Sequence, residues 1–348
     1  MFFKRKIVIF GLIISLTAAT LTGCGSGMNG KKTVTTVNGE TLSLGTLAYY
    51  AKYEQASMTV MFSSMMAQLG GQLFNTVTDE ESGRTVGSGM VTDGLDMLEK
   101  YMVVSQHAAD YGVELTDEDK AAIDAVGEAY IKENDKAVRD KIGASKEDVV
   151  RLLTLMTINS RMLEPMAADV DTEVSDEEAV QTKLTVVTVN VTDDLDAEAA
   201  KKEAQSVLDA ALSGDSADGG DILASAHDIA ENANVTTPNF TAADPSDSVV
   251  NQAVMNAIAG LGDNEIYENV IEADDGSAYY VVRVDALNDE EMTKIKRQDI
   301  ITERKNANRD EMIQKWLDES EIVRDEKVLA ELTVTDEEPF TMAYDEEE

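Results

Sequence analysis

Leu184-Thr185-Val186-Val187-Thr188-Val189-Asn190-Val191 is the stretch on which the reading of this 348-residue chain turns. Before Lys183, from about Leu44 to Met166, apolar residues recur at helical spacing. Here the pattern becomes a β-branched, valine-rich run, which marks a strand. Downstream, Asp196 is placed to cap a helix in which Ala200, Ala204, Val207, Leu208 and Ala211 keep helical spacing as far as Ser213-Gly214. A second helical piece is expected from Asp221 to Glu231, a short extended piece at Pro238-Asn239-Phe240, and a helix over Val249 to Ala259. Ile266 to Ala273 and Ala278 to Leu287 read as strands joined across Asp274-Asp275-Gly276, a hairpin signal. The order over residues 181–288 is therefore β-α-α-β-α-β-β.

Upstream, Val34 to Val37 is strand-like and runs into the turn pair Asn38-Gly39, and a helix starts near Leu44. Leu47, Tyr50 and Ala51 set a helical stripe, followed by Met58, Met61, Met65 and Met66 with Phe62 and Leu69. Gly70 to Asp93 reads as a long loop, after which Leu95, Leu98 and Met102 resume the period. Thr116 with Asp119 forms a capping box for a helix from Asp117 to about Ile142. Ser145 with Asp148 repeats the box ahead of Val149, Leu152, Leu153, Met156 and Met162, and Ser175 caps a short helix. Past residue 288 a helix is expected from Lys294 to about Val323, with Trp316 and Leu317 as buried anchors. A tail from Thr333 is placed to add a strand.

The amino terminus reads as an export signal. Lys4, Arg5 and Lys6 precede an apolar run from Ile7 to Leu16 that closes on Leu21-Thr22-Gly23-Cys24. The run is short of the roughly 20 residues that span a bilayer. The chain's only cysteine stands where a bacterial lipobox places it, so the sequence is similar to bacterial lipoproteins. That resemblance implies cleavage before Cys24, a lipid on its sulfur and attachment to the outer face of the cell membrane, with residues 24–33 as a flexible tether.

Composition removes several functions. The formal net charge of −38 repels nucleic acid, whose phosphates supply most non-specific affinity. The acidity is spread along the helices and reads as a solvated, self-repelling surface. At 43% hydrophobic residues the chain has material for real cores. Two histidines, His107 and His227, and no thiol beyond Cys24 leave no Cys/His zinc site, no cysteine nucleophile with a base and no disulfide. No phosphate-binding glycine loop and no calcium-loop spacing is present, so neither metal nor cofactor is expected.

Three segments resemble the parvulin-type exported foldases and chaperones, the SurA and PrsA group. Thr36-Val37-Asn38-Gly39-Glu40-Thr41-Leu42-Ser43 is similar to the family's N-terminal strand and turn. Tyr111-Gly112-Val113-Glu114-Leu115-Thr116-Asp117-Glu118-Asp119 is similar to its helix junction, and Ile142-Gly143-Ala144-Ser145 to the next one. Ala253 to Val284, ending Gly276-Ser277-Ala278-Tyr279-Tyr280-Val281-Val282-Arg283-Val284, resembles the last helix and hairpin of a parvulin domain. The resemblance implies an α+β fold. N-terminal residues 34–180 and a C-terminal helix at 289–332 would form a mostly helical chaperone lobe, with a parvulin-like domain inserted at 181–288 and an acidic tail over 333–348.

The catalytic pattern departs from the family. Active parvulins place a histidine in the first strand, matching Thr188 here, and another in the last strand, matching Tyr280. The family's aspartate matches Asp228 loosely, and the wall of its proline pocket maps onto Phe240 and Met255. Met58, Met61 and Met65 suit a surface that repacks against varied apolar partners, with ordinary helix core as the bland alternative. Two functions stay open: a lipid-anchored chaperone for unfolded or newly exported polypeptides, and a peptidyl-prolyl isomerase using Thr188, Asp228 and Tyr280. A ligand-binding or adaptor lipoprotein is a weaker third. Whether the protein dimerises through its helical lobe is left open.

Overall fold

The computed structural model describes residues 27–62, 72–213, 221, 223–241, 250–338 and 340–341. The signal, Cys24, Met65 and Met66 lie outside the described residues. The chain divides into two compact units: a helical unit of residues up to Asp169 and from Ala307 onward, and a sheet unit from Val170 to Asn306.

In the helical unit, β1 (Thr33–Val37) and β2 (Glu40–Ser43) form a hairpin. Asn38 at φ 50° and Gly39 at φ 83° supply the two left-handed residues that a tight primed turn requires. Ser43 caps α1 (Leu44–Met61), accepting from the Thr46 amide at 3.1 Å. The expected loop over Gly70–Asp93 is corrected within its described part. Residues 72–93 contain a small hairpin, β3 (Val77–Asp79) with β4 (Arg84–Thr85), and the start of α2 (Val86–Gln106). Weak helix formers at Gly87, Ser88 and Gly89 hid this start. A Thr85/Ser88 capping box makes it, and Gly87 is required because a Cβ there would lie 1.9 Å from the Val334 carbonyl oxygen.

The single helix expected from Asp117 to Ile142 is two, α3 (Asp117–Glu133) and α4 (Lys136–Ile142). Asn134 leaves the helix in extended conformation, and its buried side chain donates to the Tyr130 carbonyl at 3.0 Å. An asparagine that satisfies a helix-end carbonyl itself competes with helix continuation. The Ser145/Asp148 box opens α5 (Lys146–Met166), and Asp148 also accepts from Ser43 and Thr46, tying the starts of α1 and α5 together.

In the sheet unit, Ser175 caps α6 (Asp176–Ala179), and β5 (Gln181–Asn190) follows. Then come α7 (Ala197–Ser213), β6 (Ala233–Thr236), β7 (Asn239–Thr241), α8 (Gln252–Ile258), β8 (Glu265–Ile266), β9 (Ile271–Glu272) and β10 (Ala278–Ala286). The main path of the sheet is β6-β5-β10-β8, with β7 pairing β5 and β9 pairing β10. The helix expected over Asp221–Glu231 is only a 3₁₀ turn at Ala226–Asp228, and the strand expected over Ile266–Ala273 is split into β8 and β9. Val187, Val189, Tyr279 and Val281 pack against α7; Leu184, Val186, Val282 and Val284 pack with residues of α8. Coverage on both faces explains why β5 is buried almost continuously rather than on alternate residues.

One long helix, α9 (Glu290–Asp318), leads back to the helical unit, where β11 (Ile322–Arg324) and α10 (Glu326–Leu329) complete it. The expected helix to Val323 therefore stops early, and the strand lies at 322–324 rather than beyond Thr333. It joins the far edge of β1, pairing Thr36 with Val323. Trp316 is buried, as expected of an anchor, and stacks on His107 with centroids 4.2 Å apart; Leu317 is half-buried. Residues 332–338 and 340 are no free tail: Leu332, Val334 and Phe340 are buried in the helical core.

Candidate functional site

The longest ladder of the sheet unit brings two of the candidate residues together. In the β5–β10 register Thr188 stands directly opposite Tyr280, and on its other side Thr188 pairs with Asn234 of β6. Because side chains alternate along a strand, Thr188 shares a face with Leu184 and Val186, and Tyr280 with Val282 and Val284. This is the face that Phe240, Val254 and Ile258 cover, with Met255 and Tyr280 half-buried at its border. Phe240, Met255 and Tyr280 thus belong to one apolar cluster.

Burial raises the Tyr280 phenol above its ordinary value, the Asp275 carboxylate adds to this, and a hydrogen bond with the Asn251 side chain opposes it. A phenol so placed stays protonated at neutral pH. With a threonine opposite it, the pair can offer and accept hydrogen bonds through two hydroxyls.

Asp228 is not brought to this face. It is exposed, as is His227, in the 3₁₀ turn whose flanking Ala226 and Ala230 pack on the α7 side of the sheet. Asp228 is absent from the apolar cluster that holds Phe240, Met255 and Tyr280.

In the helical unit, Met58 is half-buried against the core whereas Met61 is 65% exposed. Sequence reasoning missed their neighbours in kind, the half-buried Tyr50, Tyr53, Met90, Met97 and Tyr101. Tyr50 is pushed up to about 12, by burial first and then by Glu54, Tyr101 and Asp93, while burial also raises Glu54. For Tyr101 burial again leads, with Arg309 opposing and Glu54 adding. The only advance signal was the Tyr49-Tyr50 and Tyr53-Glu54 pairs in one helix. Such side chains present an apolar body with a polar tip, suited to adaptable contacts.

An open groove of about 610 Å³ lies over β1 and β11, lined by Thr36, Val323 and Arg324 among others, and none of the candidate residues lines it. Among the described residues no cluster of three His, Cys, Asp or Glu side chains is placed to hold a metal, and no helix is long and apolar enough to cross a membrane.

No family model matches the sequence, and no curated protein matches it. Among solved structures, the chain is similar to the foldase PrsA of Lactococcus lactis at 15% identity, over 86% of this chain and 97% of that one, with a TM-score of 0.35. It is also similar to the peptidyl-prolyl isomerase PrsA of Bacillus cereus at 14% identity, over 86% and 96%, with a TM-score of 0.31. A SurA-like chaperone of Campylobacter jejuni matches at 11% identity, over 84% and 99%, with a TM-score of 0.27. At these scores the likeness assigns no function.

Proposed function

We propose that this chain is a membrane-anchored, extracytoplasmic chaperone of the foldase type that binds unfolded or newly exported polypeptides. Its parvulin-like domain, residues 181–288, serves as scaffold or added binding surface without normal isomerase chemistry. One observation carries the reading: the positions that the sequence resemblance matches to the family's two histidines, Thr188 and Tyr280, stand opposite each other on one sheet face and hold only hydroxyls. The pairing supports the mapping, and the residue types argue against the chemistry. Client binding is assigned to the half-exposed methionines and tyrosines around Met58 and Met61, and attachment to a lipid on Cys24.

Suppression of aggregation of a denatured model protein tests this. The chain should act only near equimolar amounts, and Met58→Ser with Met61→Ser should weaken it several-fold. Full suppression by the double variant would remove the binding surface from the proposal.

A second reading, an isomerase with a non-standard site, draws on the Tyr280 hydroxyl beside half-buried Met255. An apolar wall with one hydrogen-bonding group can favour a twisted amide over its planar ground state without covalent chemistry. It predicts acceleration at catalytic amounts.

A further inference from the structure

The run 332–341 has the marks of a ligand rather than of a structural element. It forms neither helix nor strand among its described residues, yet Val334 is 3% and Phe340 0% exposed, while Thr333, Glu337 and Glu338 face solvent. Its main chain is read by side chains of α1. Lys52 Nζ donates to the Thr333 carbonyl at 2.7 Å, and Gln55 Nε2 donates to the Thr335 and Glu338 carbonyls at 3.0 and 3.1 Å.

The Asp336 carboxylate accepts from the amides of Leu73, Phe74 and Asn75 at 3.1, 3.1 and 2.8 Å. Lys52 Nζ lies 4.8 Å and Lys141 Nζ 5.9 Å from the centre of the Phe340 ring, and Lys141 is 3.9 Å from Glu338. Glycine at position 87 lets the Val334 carbonyl approach the start of α2 closer than any side chain would permit.

We infer that α1, residues 73–75 and the start of α2 form a binding site for a peptide segment that turns back on itself, which residues 332–338 and 340 fill in cis and expose when they lift off. Recognition of the main-chain carbonyls makes the site tolerant of side-chain identity at positions 333, 335 and 338. Buried Lys52, half-buried Lys141 and the ring pocket select its ligand class: an acid-bearing segment that turns between an aliphatic residue and an aromatic one six positions later. Because the occupant is part of the same chain, an outside peptide sees the site only in the open fraction, and its apparent affinity falls by that fraction. The inference does not depend on the chaperone reading.

The test uses the full chain and a fluorescent peptide of residues 331–341. In the Asp336→Ala, Phe340→Ala variant the clasp is weakened, so the peptide should bind at least about tenfold tighter than to the unaltered chain. The same peptide with its phenylalanine replaced by alanine should not bind. Equal binding to both chains, or none to a cooperatively folding variant, would overturn the inference. Hydrogen exchange on the unaltered chain decides the matter if the variant does not fold. Amides of 333–338 should exchange well before those of β1, and exchange only by global unfolding would contradict a detachable segment.

Discussion

The two units hold themselves together in different ways. The sheet unit is one continuous stretch whose long β5–β10 ladder buries valines on both faces, and its ion pairs sit at the margin. Arg283, for example, bridges Asp221 at 2.7 and 2.9 Å and Asp285 at 2.6 Å. The helical unit is assembled from the two ends of the chain, and its joints are buried polar groups. Arg324 of β11 pairs with Glu99, which is 2% exposed, and Thr35 donates to the same carboxylate at 2.7 Å. The contrast teaches that a unit closed by distant segments depends on specific polar clamps, whereas a contiguous sheet relies on area.

Removing one clamp from each unit is the strongest way to break this comparison. Arg324→Ala leaves Glu99 buried and unpaired, which should cost about 3–5 kcal/mol. Arg283→Ala leaves carboxylates that reach solvent and should cost about 1–2 kcal/mol. Trp316 is the only tryptophan and lies in the helical unit, so its fluorescence in urea reports that unit, while far-UV dichroism reports both. Equal losses would erase the distinction.

Next in size is a pH effect confined to the helical unit. Burial lowers Lys52 to about 8, Glu338 opposes and Lys141 adds to the lowering. The folded state then gives up this proton more readily than the unfolded state, which holds more protons between pH 8 and 10.5. Stability should therefore rise with pH through that window, by up to about 3 kcal/mol relative to Lys52→Met. Above pH 10 the buried tyrosines reverse the trend, since Tyr49 and Tyr130 are held protonated in the fold by burial. Urea titrations of both chains at pH 7.5, 9 and 10 measure the difference, and parallel curves would contradict it.

Much of the sheet unit was legible because its signals are local. Thr185 to Val189, the Asp274-Asp275-Gly276 turn and the helical spacing of Ala200 to Leu208 each declare an element without reference to anything distant. The capping boxes at Thr116, Ser145 and Ser175 were legible for the same reason. Some errors are local, such as the helix break that Asn134 makes with Tyr130, and others fall where the deciding partner is far away. Gly87 begins a helix because it must meet Val334, and residues 333–341 resemble a solvated tail until Lys52 and Gln55 are seen to hold their carbonyls. The Thr188–Tyr280 pair could be matched by pattern, but the face that the turn at 226–228 covers is set by the packing of Ala226 and Ala230 against α7.

Smaller effects sharpen the same contrast. Gly87→Ala puts a methyl group into the Val334 carbonyl and should cost about 1–3 kcal/mol. The loss should appear in Trp316 fluorescence and leave sheet-unit amides unchanged in hydrogen exchange. Tyr280→Phe keeps the ring in its apolar cluster and should change stability by less than about 1 kcal/mol, without altering suppression of aggregation. A large loss of suppression in that variant would move client binding to the sheet unit.

Proline-limited refolding of a denatured model protein, followed with this chain at one-hundredth and at equal molar ratio, tests the central claim most directly. The account predicts an unchanged rate at the low ratio, because the Thr188–Tyr280 pair supplies two hydroxyls and no imidazole. A rate that rises at the low ratio and falls with Tyr280→Phe would contradict it and make the sheet face an active isomerase site.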